Sequence, residues 1–185
     1  MAVETRNDPD DLPVRCLVSQ DICAGMKSDL ASSTTPAHAR VLLAQSRTAF
    51  LTSGRTNIYD AADCGGRVVF LPPTNKTQGL QPRLLEDELG CSITRIDWND
   101  LNVTLDKIDY KSPGEEACFP LIQRHQSALL EDKEARNRFL ELILASFEIA
   151  PNNAESLQKL FQRFGRDDGT LVASAIADTD LGFRM

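Results

Sequence analysis

The run Val68-Val69-Phe70-Leu71, followed by Pro72-Pro73-Thr74-Asn75-Lys76-Thr77-Gln78-Gly79, decides how this chain folds. Four consecutive apolar residues between glycines and prolines fit a short strand buried on both faces, the pattern of a central strand in a parallel sheet. Pro72 to Gly79 is polar and reads as a loop. Pro82 suits the opening of a helix, because the N–H it lacks would be unpaired there anyway. Leu84, Leu85 and Leu89 would form the apolar side of that helix, and Gly90 its stop. Ser92 to Trp98, with Ile93, Ile96 and Trp98, reads as the next strand. Strand, loop, helix and strand within ~30 residues is the βαβ unit, whose crossover joins parallel strands.

Upstream, Thr35 and Pro36 suit a helix start: the threonine hydroxyl can accept a first-turn N–H. Val41, Ala44, Thr48 and Leu51 recur at helical spacing, with Leu42 and Ala49 beside them. The periodicity therefore predicts a helix running to about Leu51, with Gly54 as its terminator. Arg55 to Gly66 then reads as irregular. Val14 to Val18 suggests a short strand, Gly25 to Thr34 a loop, and residues 1–12 a disordered polar tail. Leu101 to Leu105 alternates at period two and suggests one more strand.

After Ser112-Pro113-Gly114 the texture turns helical. Leu121, Ile122, Ala128 and Leu129 mark a helix over Pro120 to Leu130. Phe139, Leu140, Ile143, Leu144 and Phe147 mark another over Asp132 to Ala150. The spacing leaves open whether these are two helices or one, since Asp132 with Arg136 and Glu134 with Arg138 could bridge the break. Asn152 with Glu155 resembles a capping box for a helix through Leu157, Leu160, Phe161 and Phe164, stopped by Gly165. Leu171 to Ala177 fits a strand or a short helix equally well. The fold expected is α/β: a small, mostly parallel sheet of three to five strands, flanking helices and a helix-rich C-terminal part, with α+β as the alternative. One globular domain is expected over 13–185, its α/β part at 13–112 and its helix-rich part at 113–185.

The balance of charge narrows the partners. A formal net charge of -7, with basic residues scattered rather than clustered, argues against nucleic acid, which needs a concentrated cationic footprint. The 5 cysteines are widely spaced without a Cys-x-x-Cys pair, and there are only 2 histidines. That pattern argues against a structural zinc site and against a disulfide scaffold. Polar, acidic residues at the start do not resemble a signal peptide, and no run approaches the ~18 apolar residues of a membrane span. A cytoplasmic chain with free thiols is the expectation. Neither a cofactor nor a metal is called for by any residue set.

Two places could carry function. The first is the strand-end loop, where Thr74, Asn75, Lys76 and Thr77 lead toward a helix start. Ligands bind at the carboxyl edge of open α/β sheets, and helix N-termini attract anions. Asp97 and Asp100, just past the next strand, should share that edge. The loop lacks the order of glycines, lysine and hydroxyl residue that defines a P-loop. His38, His125 and Cys64 show no activating neighbour, so no catalytic set is legible. The second place is the aromatic set Phe139, Phe147, Phe161 and Phe164, which forms either core or, if exposed, a protein interface. The leading expectation is a non-enzymatic protein-interaction or regulatory module working through its C-terminal helices. The alternative is a small enzyme or binding domain for a phosphorylated or polar metabolite at the strand-end loop with Asp97 and Asp100.

Overall fold

Val68, Val69 and Phe70 are wholly buried, as a strand covered on both faces requires. The computed structural model describes residues 16–17, 31–101, 104–149 and 152–165. Its elements are β1 (Cys16–Leu17), β2 (Ala31–Ser32), α1 (Pro36–Gln45), β3 (Thr48–Leu51), α2 (Arg55–Cys64), β4 (Arg67–Phe70), α3 (Lys76–Leu89), β5 (Thr94–Arg95), α4 (Trp98–Leu101), α5 (Phe119–Glu131), α6 (Lys133–Ile149), α7 (Ala154–Leu157) and α8 (Lys159–Phe164). The chain divides into two compact units, Met1–Leu42 and Leu43–Met185. In the first unit β1 and β2 pair in parallel, and His38 N–H donates to Thr35 Oγ1 at 3.3 Å, the cap expected for α1. The expected tail at 1–12 and the segment 171–177 lie outside the described residues.

In the second unit β3, β4 and β5 form a three-stranded parallel sheet in that order, with helices around it and a helix-rich C-terminal part. The fold is α/β. Side chains alternate across β4, so Val68 and Phe70 enter one core while Val69 enters the other. The first core adds Ile58, Ala61 and Ala62 of α2, Leu85 of α3, and Leu157 and Leu160 of α7 and α8. Both crossover helices thus bury residues in the same core, as successive crossovers of one hand require when the strand order runs in one direction. The second core gathers Trp98, Leu101, Ile108, Tyr110, Cys118 and Ile122, with Phe139, Leu142 and Ile143 of α6 packed against it.

Several elements differ from the sequence expectation, among them Ala31–Ser32, a short strand within the expected loop Gly25 to Thr34. The helix expected to reach Leu51 ends at Gln45, and Thr48–Leu51 is a strand paired residue for residue with Arg67–Phe70. Gly54 is not a terminator. It has an extended backbone, φ -71° and ψ 151°, and is the N-cap of α2. Residues expected to be irregular therefore form the crossover helix of a second βαβ unit. Further on, Leu101 closes the short helix α4 instead of opening a strand. The break between α5 and α6 is real: Asp132 is extended, at φ -95° and ψ 121°.

α3 begins earlier than Pro82, at Lys76, and holds the proline in its interior. Proline cannot donate to the carbonyl four residues back, which leaves Gln78 O without its helical donor. Ser53 supplies the missing bond: its buried hydroxyl donates to Gln78 O at 2.6 Å. Replacing Ser53 by alanine should therefore cost about 1–2 kcal/mol, the cost of leaving a carbonyl unpaired in the interior. Chemical denaturation checks this, and an unchanged midpoint would refute it.

Asn153 makes a similar repair on the sheet. Its side-chain amide accepts from Val68 N–H at 3.1 Å and donates to Val68 O at 3.0 Å, both buried. β5 spans only Thr94–Arg95 and pairs with Val69 and Phe70, so the asparagine takes the place of a further strand residue beside β4.

Candidate functional site

The carboxyl ends of the strands carry the loops that connect to α2, α3 and α4. Between the first two lies a crevice of about 430 Å³, lined by Gly54, Arg55, Asn75, Thr77, Gln78, Gln81 and Glu115. Its two sides differ in how their helix starts are satisfied. Asn75 caps α3: its Oδ1 accepts from Gln78 N–H at 2.9 Å. Glu115 Oε1 accepts from Lys76 N–H at 2.9 Å, so a carboxylate of the chain itself occupies one place an anion would take. Thr74 turns back onto α3, its N–H and hydroxyl both directed at Gln78 Oε1.

α2 has no such cap. Gly54 offers no side chain, and the first helical bond of α2 is Ile58 N–H to Gly54 O at 3.0 Å. Among the described residues, the N–H groups of Arg55, Thr56 and Asn57 have no hydrogen-bond partner, and the Arg55 guanidinium has no ion pair. Asn57 shapes the loop before them by donating to Thr52 O and Oγ1, each at 2.9 Å. Unpaired N–H groups, the helix dipole and a guanidinium at one place favour a negative charge.

The residues singled out in the sequence divide between this crevice and other duties. Asn75 and Thr77 line it; Thr74, Lys76, Asp97 and Asp100 do not. Asp97 is 5% exposed and pairs with Arg83, whose guanidinium also reaches Gly79 O and lies 4.5 Å from the centre of the Tyr110 ring. Its other oxygen accepts from Asn99 N–H at 3.1 Å, and Asp100 Oδ2 accepts from Asp97 N–H at 3.3 Å. Both aspartates thus organise the start of α4. That helix is further fixed by Trp98 Nε1–H donating to Pro73 O at 2.6 Å. Arg55 and Glu115 carry the charge in the crevice, and sequence reasoning missed them. The signal for Arg55 was a strand-to-helix turn, Thr52-Ser53-Gly54, concealed by reading Thr48–Leu51 as helix.

Several titratable groups belong to the packing. Burial pushes the Tyr110 phenol far up, with the Asp97 charge adding to it and Arg83 opposing, so it stays protonated. Burial likewise raises the thiols of Cys91 and Cys118, which disfavours the nucleophilic thiolate in both. His125 is buried, with Nε2 3.2 Å from Asp106 O and its ring beside Trp98. His38 is exposed on α1. Among the described residues no group of three or more His, Cys, Asp or Glu side chains is placed to hold a metal ion. No helix among them is long and apolar enough to cross a membrane.

The aromatic set is also divided. Phe139 packs on the second core, and Phe161 packs on the first, edge-on to Tyr59 at 6.0 Å between ring centres. Phe147 is half-buried with Arg47 over its ring, and Phe164 is exposed. The apolar residues most open to solvent in the C-terminal helices are Leu130, Leu140 and Leu144, at 77%, 57% and 64%. Leu140 and Leu144 stand one turn apart on α6.

No protein-family profile matches the chain, and no curated protein or solved structure matches it either.

Proposed function

We propose that the chain binds a small polar molecule bearing one anionic group, a phosphate or a carboxylate, in the crevice between α2 and α3. One observation carries this reading. The uncapped start of α2, with the unpaired Arg55 guanidinium, lines a crevice at the carboxyl edge of a parallel sheet, where open α/β sheets take their ligands. The anionic group would sit at Gly54 and Arg55. Thr77 and Gln81 would meet the polar remainder of the molecule. Glu115, across the crevice, would repel a second negative charge and favour a donor there. The reading keeps Asn75 and Thr77 from the sequence analysis and replaces Thr74, Lys76, Asp97 and Asp100 with Arg55 and Glu115.

A thermal-shift titration of the full chain with inorganic phosphate and with simple sugar monophosphates tests it. A ligand that binds only the folded state raises the melting temperature with concentration. Saturable stabilisation is expected, and Arg55→Ala should weaken it by roughly 10-fold or more, the worth of a charge-assisted hydrogen bond. A parent protein that shows no saturable shift at millimolar ligand would sink the proposal, as would an Arg55→Ala variant that binds as well as the parent.

A second reading, interaction with a protein through α6, is favoured by the exposure of Leu140 and Leu144 side by side on that helix. A photo-crosslinking residue in place of Leu140 should trap a protein partner, whether a second copy or another chain, while the same residue at Leu84 should not. With the crosslinker kept at position 140, Leu144→Glu should leave stability within about 0.5 kcal/mol, as surface changes do, and abolish the adduct. An adduct pattern indifferent to position would dispose of this reading.

A further inference from the structure

No further inference is drawn: the strongest candidate, the exposed leucine face of α6, already belongs to the second reading above, and nothing in the structure shows what covers it.

Discussion

Gly79→Ala is expected to destabilise the fold by about 3 kcal/mol, lowering the melting temperature by roughly 6–12 °C. Gly79 is in the interior of α3, where alanine would ordinarily be the better residue by ~1 kcal/mol. Here the sign reverses, because a Cβ at this position would overlap the Tyr110 ring. The ring cannot retreat. Tyr110 is 2% exposed and belongs to the second core, with Arg83 stacked on it. The clash must then be relieved by moving α3 away from the loop that carries Tyr110. The control is Tyr110→Phe. The Tyr110 hydroxyl is buried with no hydrogen-bond partner among the described residues. Its removal should be neutral or stabilising by up to about 1 kcal/mol, since an unpaired buried hydroxyl costs free energy. Denaturant melts of both variants check the pair of expectations. A Gly79→Ala protein as stable as its parent would show that α3 and Tyr110 are not in close contact.

Asp97→Ala should cost about 3 kcal/mol or more. Arg83 and Asp97 form an ion pair whose side chains are 20% and 7% exposed. Losing one partner strands the other charge where water reaches it poorly, and that penalty is commonly 3–5 kcal/mol. The lower end applies because a fifth of Arg83 still meets solvent. The carboxylate also caps the short helix α4, which adds about 1 kcal/mol to the loss. The double variant Arg83→Met with Asp97→Ala should recover part of the cost, because no stranded charge remains. A double-mutant cycle measures this directly, and costs that simply add would show the pair to be uncoupled. The same variant also separates structural from ligand-binding roles. Under conditions where Asp97→Ala is still folded, its phosphate affinity should match the parent's, because Asp97 does not line the crevice.

Much of the sheet was legible because its central strand had to be apolar on both sides. Val68-Val69-Phe70 announces such a strand from residue type alone, and the crossover to Thr94–Arg95 follows from the glycines and prolines that punctuate it. The first crossover was illegible for two reasons. Thr48–Leu51 is only four residues long, too short for alternation to outweigh a helical spacing inherited from Val41 and Ala44. α2 buries Ile58, Ala61 and Ala62 at helical spacing, but two of the three are alanines, so its apolar face is small and inconspicuous in the sequence. Gly54 compounded the error, since glycine serves at both ends of helices.

The candidate site was legible only in position. The rule that ligands meet parallel sheets at their carboxyl edge directed attention to the loop at Thr74–Thr77, and a crevice lies there. Which side chains line it depends on where other loops return. Glu115 comes from 39 positions beyond Lys76. Asp97 is drawn from the edge by Arg83, 14 residues away. Helix starts, strand apolarity and charge balance are local properties, and the sequence by itself determined an acidic α/β chain built on a buried strand at Val68–Phe70. Pairings at long range were decided only by the tertiary structure: Ser53 with Gln78 O, Asn153 with Val68, Gly79 with Tyr110, and Arg55 facing a crevice closed by Glu115. The first two arise because packing fixes which buried polar group is satisfied by which distant partner, the last two because it fixes which segments lie side by side, and no local pattern encodes either choice.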